Sequence, residues 1–244
     1  MNKMFGAPSR HILIILSDPA TSPVTGWPIG FWWAELTHAW LAFRDAGYQM
    51  TICSPNGGDL MGDIWSDPEH ETGYAAWDIV SQGFIKGPQT KDLIKGVPTL
   101  GSLNMDDYDA LYLAGGQGPM VTWIDNTELQ RTVAAFYESG KITCAVCHGT
   151  CILLNTTLSN GDLLVKGKTW TGFANTEEEF SESAAGQKIQ PFWIENEARK
   201  IEQTNFIVDS MQSEFAVRDG NLVTGQQNFS GKAAAEKMIE ALGS

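Results

Sequence analysis

Cys147 and His148 are adjacent, and the residues around them suit one kind of turn. The run Ile142-Thr143-Cys144-Ala145-Val146 reads as an apolar strand, and residues 149–155 as the helix that follows it. The positions two before and two after Cys147 are Ala145 and Gly149. A sharp strand-to-helix turn brings those positions together, so both must be small; this is the logic of a nucleophile elbow. Such a turn lifts the side chain above the sheet and sets it at a helix N-terminus. Backbone N–H groups there are expected to favour a thiolate and lower the thiol pKa. His148 is then placed as a general base.

Rival readings of this segment are open to test. The four cysteines are Cys53, Cys144, Cys147 and Cys151, three of them clustered. In a reducing compartment such a cluster reads as metal-binding or catalytic before it reads as a disulfide framework. Cys147 alone could be a small core residue. Cys144-Ala145-Val146-Cys147-His148 matches the c-type haem attachment pattern, which requires export and an open attachment site. A zinc site from Cys144, Cys147, His148 and Cys151 would need four side chains to converge, whereas strand, turn and helix send them apart. The expectation is therefore one working thiol with Cys144 and Cys151 as core neighbours, and no metal or cofactor.

Other groups could join it. Glu35 lies in the apolar stretch Phe31-Trp32-Trp33-Ala34-Glu35-Leu36. A carboxyl facing such surroundings keeps its proton to higher pH and can serve as acid or base near neutrality. The competing reading is an exposed helix residue. His38, three residues on, shares that helix face, either lining the pocket or packing beside it. Gly115-Gly116-Gln117-Gly118 follows a strand without the Lys-Ser/Thr of a phosphate loop. Its glycines admit close backbone approach, and the Gly116 and His148 N–H groups form the candidate oxyanion hole; an ordinary strand-end turn is the alternative. Glu177, Glu178 and Glu179 suit a helix start, with Thr176 and Glu179 as a capping box. Asp67-Pro68-Glu69-His70-Glu71 has too few ligands for a metal and reads as a solvated loop.

The elements that must position these groups alternate strand-like and helical patterns, the sign of a parallel sheet with crossover helices. Strands are expected at 11–17, 49–54, 108–114 and 142–146, then 206–208, 215–218 and 222–224, with a hairpin turn at Asp219-Gly220. Helices are expected at 31–46, 126–139, 194–203 and 231–242, with shorter pieces at 75–83 and 90–95. Residues 163–165 and 168–171 could pair as a hairpin. The 244 residues suit one α/β domain spanning 1–244. A net charge of -13 repels polyanions, so nucleic acid and anionic membranes are poor partners. The apolar run at 12–16 is too short for a signal peptide or membrane helix, so a cytoplasmic location is expected.

These motifs, in order, resemble the ThiJ/PfpI superfamily of the class I glutamine-amidotransferase-like fold. The Ala-Val-Cys-His-Gly elbow is similar, and Gly30–His38 is similar to the helix supplying that family's buried acid. Ser54-Pro55-Asn56-Gly57-Gly58, Ala114–Gly118, Thr171-Gly172-Phe173 and Asp219–Gln226 match further motifs, so the resemblance covers most of the chain. It implies a flavodoxin-like parallel-sheet sandwich with helices on both faces. It implies Glu35 as a site residue and Glu178 as the acid orienting His148, with Glu177 and Glu179 as alternatives in register. It also implies a homodimer. The nearest branch is the heat-shock-inducible one, described as chaperones and glutathione-independent glyoxalases (glyoxalase III). Thr150, Ala39, the loop at 226–230 and a longer loop at 17–29 depart from its pattern, which bears on substrate more than on nucleophile.

Three functions follow as expectations. One is a small-aldehyde enzyme converting methylglyoxal to lactate. Another is a Cys-His-Glu amidase or peptidase. The last is a chaperone or oxidation sensor using Cys147. Of nine tryptophans, Trp27, Trp32, Trp33 and Trp40 crowd around Glu35, and Trp27 and Trp32 are expected to wall the pocket over the thiol.

Overall fold

The computed structural model describes residues 10–243; the first nine residues, part of the segment read as lacking a leader, lie outside them. The apolar runs seen in sequence become the sheet interior. β1 (His11–Ile15), β2 (Ala20–Thr21), β3 (Pro28–Ile29), β4 (Gln49–Cys53), β5 (Ala110–Leu113) and β6 (Ile142–Val146) come first. β7 (Thr169–Trp170), β8 (Asn205–Phe206), β9 (Ala216–Asp219) and β10 (Leu222–Gly225) follow. The main sheet runs β4-β1-β5-β6-β10-β9. All its pairings are parallel except β10 with β9, the hairpin closed at Asp219-Gly220 with Leu222 opposite Asp219. Every residue of β5 and β6 is buried, as strands covered on both faces require.

The helices are α1 (Trp33–Asp45), α2 (Ile79–Lys86), α3 (Pro119–Thr122), α4 (Thr127–Glu138), α5 (Asn175–Ala185), α6 (Ile194–Ala198) and α7 (Ser230–Leu242). They cover both faces of the sheet, giving the flavodoxin-like α/β sandwich. α1 packs on α7 so closely that a Cβ on Gly231 would lie 3.0 Å from the Glu35 Cα. Among the described residues no helix is long and apolar enough to cross a membrane.

Several local expectations are corrected. The segment after Cys147 is a 3-10 helix, Cys147–Leu154, starting at the cysteine itself. Residues 163–171 form no hairpin; β7 instead pairs parallel with β8, across a long connection that local pattern does not encode. The helix expected at 194–203 stops at Ala198, and residues 90–95 form turns. α2 starts at Ile79 because Asp78 accepts the Val80 and Ser81 N–H groups as its cap. The long loop at 17–29 folds into the β2–β3 ribbon, with Ala20 opposite Ile29.

Candidate active site

Two loops leave the carboxyl ends of β5 and β6 and meet α1. Cys147 has φ +56°, the left-handed region a non-glycine residue adopts at a cost of about 1–3 kcal/mol. The elbow holds it there. A Cβ on Gly149 would press the Ala114 carbonyl at 3.1 Å, so the small residue read from sequence is required by space. Gly115 is tighter still. A Cβ there would lie 2.7 Å from the Val146 carbonyl oxygen, 2.9 Å from the Cys147 Cβ and 2.9 Å from Glu35 Oε2. Only a glycine lets β5, β6 and α1 converge on one point.

Glu35 faces this point and is fully buried. The Gly115 N–H donates to its Oε2 at 2.5 Å, and its carboxyl hydrogen-bonds the Cys147 thiol. Its Oε1 has no polar partner. Burial therefore pushes its pKa up to about 8, against the pull of those two hydrogen bonds. The exposed-helix reading is excluded. The thiol does not follow the expectation of a lowered pKa. Burial and the adjacent Glu35 carboxyl raise it, while the His148 and Gly116 N–H groups, both bonded to the sulfur, pull it partly back. The pair thus holds its protons at neutral pH, and ionising the thiol requires a base. The same two N–H groups are the expected oxyanion donors. Gly116 needs its φ of +102°, and a Cβ there would strike the Gly30 carbonyl at 2.6 Å.

The base is within reach. His148 Nδ1 lies 3.5 Å from Cys147 Sγ, and Nε2 lies 3.1 Å from Glu178 Oε1. Glu178 is buried, which raises its carboxyl, with His148 offsetting part of the rise. Placing a proton on Nε2 leaves Nδ1 as the acceptor facing sulfur. The ring is fixed by stacking on Phe173 at 4.0 Å. The three glutamates divide. Glu178 takes His148, Glu177 accepts the Ala174, Gln212 and Gln226 donors, and Glu179 is exposed. The capping box expected from Thr176 and Glu179 is replaced by Glu177 reaching back to the Ala174 N–H at the true helix start. Thr150, where the family pattern differs, donates to the Cys147 carbonyl at 2.7 Å and so ties the elbow.

The remaining expectations divide. His38 lies outside the pocket and pairs with Asp78 at 2.9 Å. Trp27 backs Trp65 at 5.8 Å and does not line the cavity. Trp33 and Trp40 pack on Phe84. Trp32 does line the cavity, joined by Trp65 and Tyr74, which the sequence reading missed. Cys144 and Cys151 are fully buried, and the Cys151 thiol donates to the Pro119 carbonyl. Asp67 and Glu69 close a turn, and Glu69 pairs with Lys86 at 2.6 Å.

Asp63 is the largest omission. It is fully buried and accepts the Gly30 and Gln117 N–H groups at 3.2 and 2.5 Å, binding the oxyanion loop to the entrance of α1. Burial pushes its pKa up to about 7, against both hydrogen bonds. Asp63→Ala leaves those two N–H groups unpaired, at about 1–3 kcal/mol each. Urea denaturation is expected to show a loss of about 2–6 kcal/mol. An unchanged midpoint would refute this role.

Comparison with known proteins agrees with the geometry. The sequence profile of the DJ-1/PfpI family matches residues 30–241. The chain belongs to the DJ-1/PfpI family. Within it, a probable glutathione-independent glyoxalase of Schizosaccharomyces pombe is 27% identical over 260 residues, with 97% of this chain and 99% of that one covered. Glyoxalase 3 of Candida albicans is 26% identical, covering 95% and 98%. The crystal structure of glyoxalase III from Candida albicans superposes with TM-score 0.76 at 25% identity, over 95% of this chain and 97% of that one. The rapid encystment protein of Francisella tularensis, at 24% identity and TM-score 0.85 over 96% and 100%, shares the DJ-1/PfpI fold.

Proposed function

We propose that this chain is a glutathione-independent glyoxalase that converts methylglyoxal and water to lactate. The observation that carries the reading is the strained thiol of Cys147 held between a buried, protonated carboxyl and a His148–Glu178 pair. His148 Nδ1 takes the thiol proton as sulfur bonds to the aldehyde carbon. The Gly116 and His148 N–H groups hold the new alkoxide, and His148 returns the proton to it, giving a neutral hemithioacetal. His148 then removes the hydrogen from that carbon, and the electrons pass to the ketone oxygen as an enediolate. Glu35 delivers a proton to the former ketone carbon. The hydroxyl proton of the first carbon passes to the second oxygen, leaving a thioester of lactate. His148 returns its proton to Glu35, and water cleaves the thioester. Oxidation of one carbon balances reduction of its neighbour, so no external oxidant is needed.

The relatives named glyoxalases support this reading over its rival, an amide or ester hydrolase, which the same His148–Glu178 geometry would also serve. NMR of the products from glutathione-free methylglyoxal is expected to show lactate formed catalytically. Absence of lactate, with a Cys147-dependent burst on p-nitrophenyl esters, would favour the hydrolase.

A further inference from the structure

The cavity over Cys147 is built from more than the reaction on methylglyoxal requires. Trp32, Trp65, Tyr74, Phe173, Phe180 and Ile189 line it, with a volume of about 120 Å³. The rings on one side brace one another. Tyr74 meets Trp32 edge-on at 6.3 Å and 88°, and Trp65 at 6.2 Å and 86°. Trp27 supports Trp65 from behind. Tyr74 and Phe180, both on its lining, are nonetheless 43% and 42% exposed overall, leaving apolar surface beside the cavity uncovered. Among the described residues the lining holds no lysine or arginine and a single carboxylate, Glu178, which is engaged by His148. A methyl group would touch little of this wall. The remaining polar lining, Gln117, Ser181, Gln190 and Asn228, is uncharged.

We infer that the preferred substrate is an α-oxoaldehyde bearing an uncharged aromatic or bulky apolar group, seated against Trp32, Trp65 and Tyr74. This inference rests on the glyoxalase reading of the site and deepens it. Anionic side groups are disfavoured, since among the described residues no cation lines the cavity and the chain carries -13 overall. Even one methylene in an apolar pocket shifts specificity by roughly 10–200-fold, so a ring in place of a methyl should exceed the lower figure.

The experiment compares kcat/KM without glutathione for methylglyoxal, phenylglyoxal and 4-carboxyphenylglyoxal. It uses wild type, Trp65→Ala and Tyr74→Ala, and reads lactate or the mandelates. Phenylglyoxal is expected to exceed both others by about tenfold or more, and each variant to cut the phenyl-to-methyl ratio by about tenfold. A wild-type ratio at or below one, or a ratio unchanged in both variants, overturns the inference while leaving the glyoxalase reading intact. Turnover of none of the three by wild type counts against the glyoxalase reading itself. Acetophenone binding, followed by tryptophan fluorescence, then decides the ring site. Saturable quenching that weakens in Tyr74→Ala supports it, and no saturable quenching overturns it.

Discussion

Cys147→Ser is expected to lower kcat/KM for methylglyoxal by about a thousandfold or more. The substitution is nearly isosteric, and the left-handed turn, the Gly116 and His148 N–H donors and the His148–Glu178 pair all remain. What changes is the acid that His148 must deprotonate. A hydroxyl is far weaker than a thiol, and in this buried position even the thiol is raised. Folding should survive, because Thr150 still ties the elbow through the Cys147 carbonyl. Circular dichroism and a glutathione-free rate assay on the same sample check both halves. A folded serine variant within tenfold of wild type would remove Cys147 from the chemistry.

Glu35→Gln is expected to lower kcat by roughly 10²–10⁴ and to erase one limb of the pH profile. With its pKa raised to about 8, Glu35 is the acid form at neutrality. Wild-type kcat should therefore fall as pH rises through about 8, and the amide should lack that limb. Stability gives an independent readout. The folded pKa lies above the unfolded value near 4.5, so the folded chain holds a proton that the unfolded chain releases between them. The contribution is fully present below about 4.5 and is lost as pH rises through about 8. Each unit is worth about 1.4 kcal/mol, so the loss over about 3.5 units is on the order of 5 kcal/mol. Asp63, raised to about 7, adds a slope of the same sign over a similar window. In Glu35→Gln the Asp63 share should remain and the Glu35 share disappear. Parallel stability curves for wild type and Glu35→Gln between about pH 4 and 8 would contradict the buried-acid assignment.

Some of this was written in local sequence. β5 and β6 declare themselves as apolar runs because they are buried on both faces. The elbow declares itself through Ala145 and Gly149, since the turn has no room for larger residues. The Asp219-Gly220 hairpin follows from Gly220 at φ +66°. Glu178 was separable from its neighbours only through the family register, because all three glutamates suit a helix start. Asp63 left no periodic signal. It acts from an irregular stretch on backbone N–H groups far away in sequence, and only the folded chain brings these together. The aromatic wall escapes the sequence for a related reason. Proximity to Glu35 in sequence points to Trp27, but the ribbon turns it behind Trp65, and Trp65 comes from a single 3-10 turn (Ile64–Ser66) and Tyr74 from a loop, neither of which carries a periodic pattern. The thiol expectation failed because a helix end was weighed without the burial that accompanies it.

A single series decides whether the buried thiol–carboxyl pair performs a glutathione-independent oxoaldehyde conversion: lactate formed from methylglyoxal, without any added thiol, across about pH 5–9 for wild type, Cys147→Ser and Glu35→Gln. Wild type is expected to form lactate catalytically with a limb falling through about 8, Cys147→Ser almost none, and Glu35→Gln a slow, limb-free rate. Equal lactate from wild type and Cys147→Ser would contradict that role of the pair.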